Sequence, residues 1–330
     1  MATLVPFLFV LGLAIVANLV TMDQSRFTKN LFELALAALN LPLILLGMVF
    51  QVIPPEFTAF LVENDLPAMN LSAAGWVLIG MGIYGVVVCA RPVRRLLARV
   101  VPIDPESSVH TLALVLTGYL TGNTLFALTQ DVLLQLLTAD IAVTIIDVVL
   151  QQIAFVAVAF LGAGWLTRRD LGEVSERLGL ERPTQRQLLL GLGIMGLLIM
   201  LQWAIGAVWA LLNPQEAEFL GQVNESLLAG FDSPGEWLIL AVAAGVGEEV
   251  LFRGALQPIF GIFLTSLLFA VVHIQYGLTP ITLVVFILGI ILGILRQRTN
   301  TTVVIFVHFG YNFILGLFAL LASYLQDFVG

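Results

Sequence analysis

Glu248 and Glu249 are adjacent carboxylates, with Arg253 four residues beyond the second, in a stretch from 237 to 254 that is otherwise apolar. A carboxylate at the centre of a membrane helix costs on the order of 2.5–3.5 kcal/mol on insertion scales, so such groups normally line a protein interior or a wet cavity and mark a functional site. Two of the three histidines fall in later apolar runs: His273 four residues after Phe269, and His308 four residues before Asn312. Residues four apart share a helix face, so Glu249 and Arg253 sit about 40° apart and can pair, while Glu248 is roughly 140° from Arg253 and must face something else. That geometry makes Glu248 the candidate general base. His308 and Asn312 present their polar groups together, and Phe269 lies over the face of His273.

The elements that must position these groups are membrane helices. Hydrophobic residues make up 59% of the 330-residue chain and charged residues 11%, with a mean hydropathy of +1.02; soluble domains carry about 25% charged residues. The expected fold class is an all-α, polytopic transmembrane helical bundle of about 8–10 spans. Apolar runs long enough to cross a bilayer occur near 2–20, 34–53, 74–91, 109–129, 141–166, 188–212, 237–254, 262–276, 281–295 and 302–325, those at 262–276 and 281–295 being short. The first run lacks the positive flank of a signal peptide and reads as a span. The single cysteine, Cys89, rules out a disulfide framework within the chain. The net charge of −8 is less informative than its distribution.

Apart from Arg253, the basic residues follow the first, third, fifth and ninth runs: Arg26 and Lys29, Arg91 to Arg99, Arg168 to Arg186, Arg296 and Arg298. The alternate loops carry only acids, among them Glu56, Glu63 and Asp65, then Asp131 and Asp140, then Glu216 to Glu236. Lys and Arg excess marks the cytoplasmic side, which puts both termini outside and opens the Glu248 region toward the cytoplasm. Trp76, Trp165 and Trp237 fall at span edges, as interfacial aromatics do. The polar stretch at 167–187 divides the chain into an N-terminal transmembrane region, 1–186, of open role, and a C-terminal region, 187–330, that holds the chemistry. Gly289 and Gly293 form a small-xxx-small pair expected at a close helix contact.

The three motifs, Glu248-Glu249-x-x-x-Arg253, Phe269-x-x-x-His273 and His308-x-x-x-Asn312, on successive apolar helices, resemble the CPBP family of intramembrane proteases, which contains the CAAX-processing endopeptidases and bacteriocin-processing proteins. The resemblance covers about residues 187–325. It implies a peptidase, of the glutamate intramembrane endopeptidase type, acting on a membrane-associated peptide or protein. By that resemblance Glu248 with His273 activates a water, His308 and Asn312 stabilise the oxyanion, and Glu249, Arg253 and Phe269 support them. It implies no cofactor, no nucleic acid and a multi-pass protein of the bilayer; the topology suggests a bacterial inner membrane.

Other readings stay open at the level of sequence. Two histidines and a glutamate are a recognised zinc set, which here would be Glu248, His273 and His308. Against it, the helical metalloprotease signature places both histidines four apart on one helix, and the partner of His308 is Asn312. A transporter also places ionisable groups at mid-depth, but in two related halves, and this chain is asymmetric. A non-catalytic scaffold or immunity-type protein could retain the same pocket. Asp147 with Gln151, and Asn123 with Thr124, read as helix contacts, and His110 as an interfacial residue.

Overall fold

In a bilayer the backbone must satisfy its own hydrogen bonds, so apolar runs become helices. The computed structural model describes residues 4–23, 25–54, 56–57, 63–64, 69–130, 144–273, 277 and 279–329, and among these there is no strand. The N-terminal helices are α1 (Leu4–Asp23), α2 (Arg26–Val52), α3 (Leu71–Val88), α4 (Arg91–Leu97), α5 (Ser108–Thr129), α6 (Ile145–Gly162) and α7 (Leu171–Leu178). Then come α8 (Gln185–Leu212), α9 (Pro214–Leu228), α10 (Pro234–Glu249), a π-helix (Val250–Leu256), α11 (Gln257–Val271), α12 (Pro280–Arg298) and α13 (Thr301–Val329). Nine helical stretches among the described residues are long and apolar enough to span a membrane. Of the acids placed in loops, Asp65, Asp131 and Asp140 lie outside the described residues.

The longest of these stretches, Pro234–Val271, is not one rod. Glu248 and His273 are 25 residues apart, roughly 37 Å along a straight helix, yet their side chains come within 3.8 Å. The chain therefore reverses between them. Gly261, at φ 75° and ψ 174°, is the non-helical residue that does it, in a region of backbone space that is essentially glycine-only. Glu248 lies thirteen residues before this turn and His273 twelve after it, so the two arms bring them to the same level. The runs at 237–254 and 262–276 are thus two arms, the first prolonged by the π-helix and the second short; residues 274–276 are not described.

α10 packs against α6 and α13, and α11 against α12. The expected close contact at Gly289 and Gly293 is present: a Cβ on Gly289 would stand 3.0 Å from the Ser266 Cβ, and one on Gly293 2.8 Å from the Ile262 side chain. One core cluster gathers α6, α7, α8, the π-helix and α11 to α13 around Phe252, Phe269, Leu292 and Val307; a second gathers α1, α2 and α5 with Ile259 and Phe260. α6 contributes to both clusters, through Ala159 to the first and Leu161 to the second.

Several polar residues take structural roles. Thr124 donates to the Val271 carbonyl at 2.9 Å, a contact between α5 and α11, whereas Asn123 is exposed. Asp147 does not bridge helices as expected; it is exposed in the first turn of α6, paired with the N-cap Thr144 at 2.6 Å, and Gln151 is exposed as well. The His110 Nδ1 accepts from the Asp104 backbone N–H at 2.8 Å near the start of α5. Arg94, counted above with the loop cations, is fully buried: it pairs with Glu33 at 2.6 Å and donates to the carbonyls of Val88, Cys89 and Pro105.

Candidate active site

Four helices converge on one polar cluster: α10 with the π-helix after it, α11, α13 and α6. α10 begins with a capping box, Ser233 with Glu236, and ends in the two glutamates. The π-helix follows at once; such wide turns are rare and frequent at functional sites. Through this change of winding Glu249 and Arg253 keep the pairing their spacing predicts, with Arg253 Nε 3.2 Å from Glu249 Oε2 and neither side chain exposed. The other Glu249 oxygen accepts from His308 Nδ1 at 2.7 Å, so one buried carboxylate ties α10 to α13.

Phe269 closes this buried group from the side of α11. Its ring lies 4.8 Å from the Arg253 guanidinium carbon, a cation–π contact worth about 0.5–2 kcal/mol. The same ring meets the His273 ring at 4.6 Å and the His308 ring at 6.0 Å. Arg253 has no exposed surface, so its partners are Glu249 and Phe269; contact with a substrate, a role open to it on sequence grounds, is not available in this geometry.

Glu248 faces the other way. Its Oε2 is 3.8 Å from His273 Nε2, and these two side chains keep 14% and 19% of their surface exposed. His273 Nδ1 is 2.6 Å from the Phe269 carbonyl oxygen; a carbonyl only accepts, so Nδ1 carries the proton and, in the neutral ring, Nε2 presents a lone pair toward Glu248. A separation of 3.8 Å is too long for a direct hydrogen bond, but it suits two groups that share one water. Asn312 follows His308 by one turn of α13 and is half-buried.

α6 contributes a residue that the sequence reading did not single out. Gln152 is buried and its Nε2 donates to Glu248 Oε1 at 3.3 Å. Gly247 makes this possible, because a Cβ there would collide with Gln152 Oε1. The available signal was the small residues of α6: Gln152 lies seven residues before Ala159, which is 1% exposed, and positions two turns apart share a face.

No group of three or more His, Cys, Asp or Glu that could hold a metal ion occurs among the described residues. Glu248 and His273 face each other, while His308 holds Glu249 through Nδ1, which leaves its Nε2 as the nitrogen that can meet a ligand or an oxyanion.

Residues 231–314 match the family model of the Rce1-like proteins, type II CAAX prenyl endopeptidase Rce1-like. The matched stretch contains Glu248, Glu249, Arg253, Phe269, His273, His308 and Asn312, and excludes Gln152. No curated protein and no solved structure matches the chain. The family match supports a peptidase of the CPBP/CAAX intramembrane kind, integral to the membrane.

Proposed function

We propose that this Rce1-like membrane protein is an endopeptidase that hydrolyses a peptide bond with a water activated by Glu248 and His273. The observation that carries the reading is the 3.8 Å approach of Glu248 Oε2 to His273 Nε2 in a partly accessible site, beside a fully buried Glu249–Arg253 pair. Glu248 Oε2 takes the proton of the water as its oxygen attacks the scissile carbonyl carbon. The His273 lone pair at Nε2 holds the second hydrogen and so aims the attacking oxygen. Gln152 fixes the other Glu248 oxygen, which leaves one oxygen for chemistry. The tetrahedral intermediate collapses as Glu248 returns the proton to the leaving amide nitrogen and the C–N bond breaks.

In this reading Asn312 donates to the oxyanion, and so does His308 when its Nε2 carries a proton while Nδ1 holds Glu249. A preorganised donor of this kind is worth about 2.7–4 kcal/mol. Glu249, Arg253 and Phe269 keep the His308 and His273 rings in place. The substrate is a membrane-associated peptide or the tail of a membrane-anchored protein, and the distribution of basic residues argues for a site opening toward the cytoplasm of a bacterial inner membrane. Comparison of protein termini in membranes from cells expressing wild type or Glu248→Gln at matched levels tests the proposal. Termini present only with wild type are expected; their absence, with both proteins folded and abundant, would favour a scaffold that keeps the pocket without cutting.

A further inference from the structure

Outside the polar cluster, the loop between α6 and α8 gathers cations that are not closely paired with its acids. Arg168, Arg169 and Arg177, together with Arg296 at the end of α12, form no ion pair within 4.0 Å among the described residues, although four other arginines of the chain do. Burial, followed by repulsion from Arg169 and from each other or from Arg296, lowers the pKa of Arg168 and of Arg177. Of the acids nearest in sequence, Asp170 and Glu173 form the capping box of α7, and Glu176 is exposed. Glu181 is the acid beside Arg296.

The cluster is held by its surroundings. Arg169 donates to the Ala163 carbonyl, and Arg177 Nη1 lies 3.5 Å from the Gly254 carbonyl in the π-helix. The Arg296 guanidinium rests on Gly179, where a side chain would collide with it, and its buried Nε has no hydrogen-bond partner. Gly164, at φ +102°, leaves room for Arg168, whose Cγ and Nε would be 2.7 Å from a Cβ there. Leu166, at φ 64°, is the one non-glycine residue with positive φ among the described residues. A bulky residue held there is strained, and the turn it makes delivers Arg168 and Arg169 side by side.

An apolar groove of about 770 Å³ reaches the same place, within the roughly 300–1,000 Å³ typical of small-molecule sites. It runs between α6 and α10, and its lining includes Val149 and Leu238, Gln152 and Gly247, and Phe160, Trp165 and Leu171. Ile153 and Leu171 on its walls are 59% and 56% exposed, so the groove opens toward the bilayer. A peptide lying in it would leave backbone N–H and C=O groups unpaired against apolar walls, which is costly. A hydrocarbon chain would not.

We infer that this groove and the arginines at its mouth form a binding site for an anionic phospholipid, with the phosphate on Arg168, Arg169 and Arg177 and an acyl chain alongside α6 and α10. Basic pockets between membrane helices recognise anionic headgroups by this combination of charge and apolar contact. The groove borders the Glu248–His273 pair through Gln152 and Gly247, but its apolar walls and the arginines do not depend on the protease reading.

Thermal unfolding of the purified full-length protein in nonionic detergent tests it. Dioctanoyl-phosphatidylglycerol at about a hundredfold excess over its Kd is expected to raise Tm by roughly 3–6 °C, saturably. Dioctanoyl-phosphatidylcholine and inorganic phosphate are expected to leave Tm unchanged. Arg168→Gln with Arg177→Gln should abolish the shift, while Arg182→Gln with Arg186→Gln, exposed in the loop and in the first turn of α8, should keep it. Should the double variant fold poorly, Ala157→Phe, which fills the groove and leaves the arginines, must weaken the response to phosphatidylglycerol. Equal shifts with phosphatidylcholine, or a shift retained in both test variants, would overturn the assignment. So would inorganic phosphate alone reproducing the effect, or displacement of the lipid by a peptide with a free C-terminal carboxylate.

Discussion

Glu248 and Glu249 are consecutive in the chain and opposite in environment. Glu249 has no exposed side-chain surface and is shared between Arg253 and His308, while Glu248 keeps 14% exposed and meets His273. The separation follows from a helix turning about 100° per residue, and it divides one acidic pair into a buried anchor and an accessible carboxylate.

That division predicts opposite phenotypes for two equivalent substitutions. Glu248→Gln should remove peptide cleavage, on the order of 10³-fold or more given the 10²–10⁴ typical of a positioned base, with Tm near that of wild type. Glu249→Gln should leave Arg253 as an uncompensated buried charge and cost about 3–5 kcal/mol of stability. Cleavage assays alongside thermal unfolding separate the two. If both variants lost activity and stability in parallel, Glu248 would be a structural residue and the mechanism wrong.

Gln152 is predicted to position Glu248. Gln152→Leu keeps the volume and removes the hydrogen bond to Glu248 Oε1, and it should lower kcat about 10–100-fold, the range of losing roughly 1.4–2.7 kcal/mol of orientation, with KM little changed. Gly247→Ala should act in the same direction, because the new Cβ collides with Gln152 Oε1. A KM effect with kcat intact would instead assign Gln152 to substrate binding.

Much of this arrangement was legible in the sequence because it rests on local geometry. The Glu249–Arg253 pair is a four-residue spacing on a helix, and it survives the π-helix that begins at Val250. The membrane class, the span count and the close contact at Gly289 also follow from apolar runs and small residues. Other features depend on tertiary packing. Only the weak face pattern with Ala159 separates Gln152 from Gln151, and the partner of Gln152 lies 96 residues away. Arg94 sits in a basic run that reads as a solvated loop, yet Glu33 of α2 draws it fully inside. Asp147 looked intramembrane because the start of α6 is not visible in composition, whereas Thr144 caps it there.

Gly261 is predicted to set the register of the two catalytic arms. Any side chain there meets backbone strain of about 1–3 kcal/mol, and relaxing it would shift His273 relative to Glu248. Gly261→Ala should therefore lower activity more than it lowers stability, whereas Gly12→Ala, with nothing within 4 Å of the new Cβ, should do neither. A Gly261→Ala enzyme with wild-type turnover would show that the turn tolerates a side chain without disturbing the site.

Arg94 and Arg95 give a paired test of burial. Arg94 is fully buried and braces Glu33 against the end of α3, whereas Arg95 is 64% exposed and reaches Glu106 at 2.9 Å. Arg94→Ala should destabilise by more than about 1 kcal/mol, because it leaves the carbonyls of Val88, Cys89 and Pro105 without their donor and Glu33 with Arg91 alone at 3.1 Å, and Arg95→Ala by about 0–1 kcal/mol. Denaturation of the two variants in the same detergent decides it, and equal losses would contradict the burial of Arg94.

Chelation addresses the remaining chemical alternative. In the glutamate mechanism Glu248 and His273 act on water directly, so excess EDTA or phenanthroline should leave the cleavage rate within about twofold, well short of the 1.4 kcal/mol that a tenfold change represents. Elemental analysis of the purified protein should find no stoichiometric metal. Loss of activity on chelation, restored by Zn²⁺, would mean that Glu248 and His273 serve as ligands. His308 would then complete the set through Nε2, with its Nδ1 still held by Glu249 at 2.7 Å. Direct measurement of Zn²⁺ binding separates the two cases: stoichiometric binding that weakens in His308→Ala belongs to the second, and no stoichiometric binding to the first.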